Sequence, residues 1–314
     1  MTVTVLVENL CDVFIPDQPQ ARRWRPGPSV GTVPIATMSG GEVPDQLLAE
    51  HGLSLLLTVT KGAVSRRLLF DCGVSPNGMV ENMRRLSLDP TEIEAIVCSH
   101  GHFDHTAGLD GLIRRLGRLH LPVLIHPDFW NRRRVLLGPE PTELPTTSRR
   151  ALEEVGCTIV EEQQPSFLFD NSVLVTGEVD RTSGYEPGFP IQEAWKNGAW
   201  EPDPLVLDDQ AIILDVRGRG LVVITGCGHA GIVNITRYAR ALTGVDSLYA
   251  VIGGFHLNGP TYEPILERVC SDLAAMRPAL VIPGHCTGWR AHHAMARTFG
   301  DGYIPNCVGS RYEL

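Results

Sequence analysis

Four side chains able to hold a metal ion fall within six residues, His100-Gly101-His102-Phe103-Asp104-His105. The apolar run Ile96-Val97-Cys98 precedes them, and Leu109, Leu112, Ile113 and Leu116 follow at helical spacing. The cluster is therefore expected on a strand-to-helix loop, where backbone is free to bend and function usually sits. Neutral imidazole and carboxylate suit zinc, iron, manganese and similar divalent ions. One tetrahedral ion has little room for four donors this close in sequence. Two ions share them more easily, His100 and His102 on one, Asp104 and His105 on the other. Paired ions about 3.5–4 Å apart can clamp both oxygens of a displacement. A fold for this chain must bring further donors to that loop.

The same pattern recurs three times downstream. Leu221–Ile224 runs into Thr225-Gly226-Cys227-Gly228-His229-Ala230-Gly231. Leu248–Ile252 runs into Gly253-Gly254-Phe255-His256-Leu257, and Ala279–Ile282 into Pro283-Gly284-His285-Cys286. Strand ends delivered to one edge of a sheet give convergent ligands. His229 and His285 are thus read as ligands, and His256 as a further ligand or a proton donor.

Upstream, Arg67–Phe70 ends in Asp71-Cys72-Gly73. A carboxylate there can accept the free N–H of a metal-bound histidine and fix its tautomer. Segments 16–45, 128–150 and 182–207 lack periodicity and are read as loop insertions, long enough to be functional. The second carries Arg132, Arg133, Arg134, Arg149 and Arg150. A solvated loop is the plainer reading; a lid meeting an anionic substrate is the sharper one.

The His-x-His-x-Asp-His order after an apolar strand resembles the metallo-β-lactamase superfamily. That resemblance implies an α/β fold, an αββα sandwich of two mixed β-sheets flanked by helices, with a one- or two-metal site at one edge. Ala49-Glu50-His51-Gly52-Leu53-Ser54, Thr176-Gly177-Glu178, the 225–231 loop, Gly254-Phe255-His256-Leu257 and Gly284-His285-Cys286-Thr287-Gly288 resemble one branch of it. That branch is the 7,8-dihydropterin-6-methyl-4-(β-D-ribofuranosyl)-aminobenzene-5′-phosphate synthase-like proteins. The match spans nearly the whole chain, so residues 1–314 are expected to form one domain.

The resemblance also implies roles. Asp71 falls on the superfamily's D-x-G, and His285 on its last metal histidine. Cys227 stands where many relatives place a bridging aspartate; it is read as a wall residue near the ions. A third histidine motif is expected near residues 176–181 and is missing; either Glu178 fills its place or the first ion is served from elsewhere. Asp209 is read as a ligand or as an anchor behind the ligands, and His51 as a further residue near the site. Gly228 and Ala107 depart from the branch, where serine and glycine are common.

The leading expectation is a hydrolase or related transferase in which metal-activated water attacks a small, anionic or pterin-like substrate. His100, His102 and His229 would hold one ion; Asp104, His105 and His285 the second. Asp104 would take the proton and His256 would protonate the leaving group. Zinc is the expected metal, in one or two copies, with iron or manganese as alternatives. The rival readings are a dihydropterin–arylamine condensing synthase, an iron redox enzyme, and a non-catalytic metal- or ligand-binding protein.

A formal charge of −9, from 27 basic and 36 acidic residues, argues against nucleic acid as a partner. No apolar run is long enough to span a membrane. The start, Met1 to Asn9, alternates like a strand and lacks the marks of a signal peptide, so a cytoplasmic location is expected. Eight scattered cysteines without a CxxC pair are expected to be free thiols. The oligomeric state is left open, a homodimer included.

Overall fold

A computed structural model describes residues 1–28, 30–118 and 120–314. Ser29, within the loop expected over 16–45, and Leu119 lie outside the described residues. The architecture is the expected αββα sandwich. One mixed sheet runs, in spatial order, Thr158–Glu161, Pro122–Ile125, Ala95–Val97, Val64–Phe70, Ser54–Lys61, Thr2–Val7, Arg311–Glu313 and Ala21–Arg22. The other runs Ser166–Leu168, Val173–Val175, Ala211–Val216, Gly220–Thr225, Leu248–Gly254 and Leu280–Gly284.

Alternation along the strands builds two kinds of core. Leu55, Leu57, Leu68 and Phe70 point between the sheets, against Ile212, Leu214, Val222, Ile224, Ile252 and Ile282. Their neighbours Leu56 and Leu69 point outward and pack with Met79, Met83 and Leu112 from helices Gly78–Arg85 and Leu109–Leu116. Leu221, Val223 and Val251 do the same against helices Ile232–Thr243, Leu266–Ala275 and Trp289–Phe299. Both faces of each sheet are buried, and the strands therefore read as near-continuous apolar runs.

Strand direction places the chemistry. Val64–Phe70, Ala95–Val97 and Pro122–Ile125 are parallel to one another. Thr2–Val7 is antiparallel to Ser54–Lys61, which is antiparallel to Val64–Phe70, so its carboxyl end joins theirs. Gly220–Thr225, Leu248–Gly254 and Leu280–Gly284 are likewise parallel. The carboxyl ends of these strands carry Glu8 and Asn9, Asp71, His100, Cys227 and His229, His256, and His285.

The expected loop insertions are more ordered than their composition suggests. Thr32–Pro34 and Glu42–Pro44 form a small hairpin inside 16–45. Insertions 128–150 and 182–207 combine: Thr142–Glu143, Arg133–Val135, Gln192–Lys196 and Ala199–Pro202 form a four-stranded antiparallel sheet. Each segment alone lacks a partner strand, so neither shows a strand signal by itself. The arginines of 128–150 have partners within the protein, most of them at the surface, in keeping with the plainer reading. Arg132 pairs with Glu143, Arg134 with Glu193, Arg149 with Glu161 and Arg150 with Glu154. Arg133 is 2 % exposed and donates through Nη2 to Asp208 Oδ1 at 2.6 Å. Among the described residues no helix is long and apolar enough to cross a membrane.

Breaking a buried pair strands the remaining charge, at about 3–5 kcal/mol. Arg133→Ala is therefore expected to cost about that much in urea unfolding. Arg150→Ala, on the surface, should leave the midpoint within error. Equal midpoints for the two variants would mean that the Arg133–Asp208 pair does not tie the small sheet to the body.

Candidate metal centre

The first loop of the site is held from behind by Asp71. This residue is fully buried and sits in the left-handed region at φ 56°. Its carboxylate accepts from Ser99 N, Ser99 Oγ and His105 Nδ1, each at 2.7 Å. Ser99 Oγ, having given its hydrogen to Asp71, accepts from His100 Nδ1 at 2.9 Å. The lone pair of His100 is thus left on Nε2, and the proton on His105 Nδ1 is fixed, which leaves Nε2 as the position where its second proton sits or a cation binds.

His102 is oriented the other way. Its Nε2 donates to Gln192 Oε1 at 2.5 Å. The Gln192 amide is fixed in turn, because its Nε2 donates to Asp203 Oδ2 at 2.9 Å. The free lone pair of His102 is therefore on Nδ1, and it faces His100 Nε2 at 2.9 Å. Two lone pairs at that distance repel unless a cation lies before them. Beside them the His229 ring sits 5.0 Å from that of His100 and 5.1 Å from that of His102, centre to centre. Both His229 nitrogens are buried without a hydrogen-bond partner. An unpaired buried polar atom costs about 1–3 kcal/mol. Burial holds His100 and His229 well below the usual imidazole range, and burial with the nearby Arg133 charge brings His102 down to about 4. All three are neutral donors at pH 7. These features fit a divalent cation.

A second group adjoins the first. Asp104, His105, Cys227 and His285 offer donor atoms within 4.8 Å of one another. Cys227 Sγ is 3.1 Å from His105 Nε2 and 3.3 Å from His285 Nε2. Asp104 Oδ2 is 3.3 Å from His285 Nε2 and 3.7 Å from His105 Nε2. His285 adopts a left-handed φ of 50° and presents Nδ1 to Asn9 Oδ1 at 3.4 Å. Burial opposes a proton on His105, but the Asp104 and Asp71 carboxylates outweigh it and raise its pKa to about 9. Asp104 is held well below the usual carboxylate range; burial works against this, and the His105 and His285 charges overcome it.

The structure thus brings His100, His102, Asp104, His105, His229 and His285 together, with Asp71 behind them. Cys227, expected on the wall, contributes Sγ to the donor groups on both sides. His256 lies alongside, its ring 4.3 Å from that of His229 and its Nδ1 buried without a partner. His51 reaches the rim, with Nε2 3.9 Å from Asp104 Oδ2. Asp209 accepts from Ala230 N at 2.8 Å and so braces the 226–231 loop. Glu178 is a correction: it turns to His126 Nε2 at 3.3 Å and to Gln163, outside every donor group. The strand before it ends at Val175, and the chain leaves toward residue 163.

Five participants have no sequence signal that places them beside the histidines. Gln192 reaches His102 only through the unforeseen small sheet. Arg133 and Asp208 close around Gly101, whose N–H donates to Asp208 Oδ2 at 2.8 Å. A Cβ at Gly101 would lie 2.3 Å from the Phe129 carbonyl oxygen, so only glycine fits between the two histidines. Asn9 sits at a strand end that looks like any other. Phe189, one of the loop aromatics, covers the site, with its ring 5.2 Å from His229, 5.0 Å from His256 and 5.9 Å from His102.

A family model for the metallo-beta-lactamase superfamily matches residues 52–285, and the chain belongs to that superfamily. Two curated proteins of Methanocaldococcus jannaschii are each 29 % identical to it. One, a 7,8-dihydropterin-6-methyl-4-(beta-D-ribofuranosyl)-aminobenzene-5'-phosphate synthase, aligns over 81 % of this chain and 87 % of its own. The other, an uncharacterized protein, aligns over 84 % and 95 %. The crystal structure of Tm1679, a metal-dependent hydrolase of the beta-lactamase superfamily, superposes over 100 % of this chain and 99 % of its own. Its TM-score is 0.74 at 22 % identity, which is a likeness of fold.

Removing the support of a metal-ligating histidine typically costs 10–100-fold in affinity. Gln192→Leu is therefore expected to weaken zinc binding by roughly 10–100-fold in a chelator competition; unchanged affinity would show that His102 needs no such partner. A second expectation follows from His105. It carries a proton at pH 7 that must leave before Nε2 can bind a cation, so zinc uptake releases protons. Affinity should rise with pH toward about 9 as His105 loses its proton. Calorimetry in buffers of different ionisation enthalpy reads the proton count.

Proposed function

We propose that this chain is a metal-dependent hydrolase that holds two divalent ions, zinc in the first instance. His100, His102 and His229 would hold one ion. Asp104, His105 and His285 would hold the other, and the Cys227 thiolate would lie between them. The observation that carries this reading is the pair of fixed lone pairs, His100 Nε2 facing His102 Nδ1, beside a His229 with no partner at either nitrogen. Divalent ions at such positions supply Lewis-acid polarisation and acidify a bound water.

The remaining work falls to the protein's own side chains. Phe189 closes the site over His102, His229 and His256 and keeps bulk water from that side. The open side carries Asp104, whose side chain is 14 % exposed, and His51, at 67 %. Substrate therefore enters past His51. Asp104 is ionised at neutral pH and able to receive a proton through Oδ2. His256 is half-buried, and its Nδ1 has no protein partner. It is free to hand a proton to a leaving group beside His229. A small anionic or pterin-like substrate suits this site. The second reading is condensation of a dihydropterin with an arylamine, favoured by the match to the M. jannaschii synthase over most of both chains.

Elemental analysis of protein purified without added metal is the first test. Two zinc ions per chain are expected, falling to one or none in the Asp104→Ala, His105→Ala double variant and in His229→Ala. Turnover of phosphoesters or lactones that disappears in the same variants supports the hydrolase. Turnover restricted to a dihydropterin with an arylamine supports the synthase. Predominant iron with oxygen consumption, or no metal after reconstitution, would overturn the proposal.

A further inference from the structure

A third donor group, Cys227, His256 and Cys286, shares Cys227 with the two groups already described and adds Cys286, which belongs to neither. The sulfurs of Cys227 and Cys286 lie within 4.8 Å of each other, and Cys286 Sγ approaches the Cys227 carbonyl oxygen at 3.4 Å. Gly254 makes this approach possible. A Cβ there would lie 2.9 Å from Cys286 Sγ and 3.1 Å from Cys227 Cα. All eight cysteines are free thiols, and these two follow the ends of Gly220–Thr225 and Leu280–Gly284, the parallel strands on either side of Leu248–Gly254, so that they meet across its last residue, Gly254. Cys227 is buried, and Cys286 is half-buried.

We propose that Cys227 and Cys286 form a dithiol that a hydroperoxide converts to a disulfide, and that this disulfide and a full set of metal ions exclude each other. The exclusion rests on the two-ion reading; the dithiol does not. Cys286, the more accessible sulfur, attacks one oxygen of hydrogen peroxide. The O–O bond breaks, one water leaves, and Cys286 becomes a sulfenic acid. Cys227 sulfur then attacks Cys286 sulfur, the S–O bond breaks, and the second water leaves with the remaining proton. Two thiols and one peroxide give one disulfide and two waters, with two electrons passing from sulfur to oxygen. The S–S bond, at about 2.05 Å, requires both side chains to turn toward each other. That turn takes Cys227 Sγ from His105 and His285, which it now approaches at 3.1 and 3.3 Å. The same sulfur cannot serve the ions and the disulfide, so bound metal protects the pair and oxidation expels metal. The reactive species here is a peroxide rather than a carbon or phosphorus electrophile, which gives the centre a second class of reactant.

The test is peroxide treatment of metal-free and zinc-reconstituted protein, followed by non-reducing peptide mapping. In metal-free protein a linked pair of peptides containing Cys227 and Cys286, lighter by two hydrogens and split by dithiothreitol, is expected. Cys286→Ser should abolish the linkage while still taking up zinc, because Cys286 is in neither ion group. With zinc at 100 times its Kd, linkage should slow by about 100-fold. Absence of the linked peptide from metal-free protein, with sulfinic acid or a Cys11–Cys307 link in its place, would overturn the dithiol. Equal linkage rates with and without bound zinc would overturn the exclusion alone. Linkage in a protein that binds no zinc would leave the dithiol standing and sink the two-ion reading instead.

Discussion

The Asp71 carboxylate is the point on which the centre depends. It receives three hydrogens, from Ser99 N, Ser99 Oγ and His105 Nδ1, and through Ser99 it also sets His100. A buried carboxylate without donors would carry a heavy desolvation penalty. Here the donors are the metal loop itself, so satisfying Asp71 and shaping the loop are one event. The second sheet closes on the same point. A Cβ at Gly226 would lie 2.0 Å from Ser99 Oγ and 2.9 Å from Asp71 Oδ2. The loop bearing Cys227 and His229 can reach the first sheet only because that residue has no side chain.

The two halves of the centre hold charge differently. His100, His102 and His229 are kept neutral, by burial above all. Asp104 and His105 are kept ionised, each by the other. The imidazolium of His105 stands between the Asp71 and Asp104 carboxylates, where it does electrostatically what a cation does. The second half is thereby satisfied without metal, whereas the first keeps facing lone pairs and two orphaned nitrogens on His229. On the proposed two-ion reading, the affinities of the two positions would differ for that reason, one set of donors being neutral and the other having a proton to displace.

What was legible in the sequence follows from range. His100 to His105 and the strand ends at Asp71, His229, His256 and His285 each combine an apolar run with polar residues immediately after it, a local pattern. The sandwich was expected from the resemblance of the His-x-His-x-Asp-His order to the metallo-β-lactamase superfamily, and the apolar runs supplied its strands. Gln192 was not, because its place beside His102 depends on a sheet assembled from two insertions about 60 residues apart, neither with a strand signal alone. The arginines of 128–150 looked free for the same reason: their partners Glu143, Glu161, Glu193 and Asp208 come from other elements or from turns in register. Cys227 was misplaced by a side chain's width. Position marks the loop, but the direction of Sγ is a matter of φ and χ that no pattern of residue types records.

Glu178 carries the last step. Superfamily order calls for a histidine after the strand Val173–Val175, and this chain has Gly177-Glu178 instead. Gly177 takes a positive φ of 62° and lies against the backbone of residues 163 and 164. The segment is pinned there by Glu178 N donating to Gln163 O and by the Glu178 carboxylate beside His126. The third imidazole facing His100 and His102 is His229, two residues beyond Cys227. One six-residue loop, 226–231, therefore presents a cysteine sulfur shared by both donor groups and an imidazole at one of them. Its backbone is held by Asp209 at Ala230 N and by Gly254 N at Gly226 O. In an arrangement with donors on separate loops, each ion position can be adjusted independently. Here any displacement of residues 226–231 moves Cys227 and His229 at once, so the geometries of the two donor groups are coupled through the backbone.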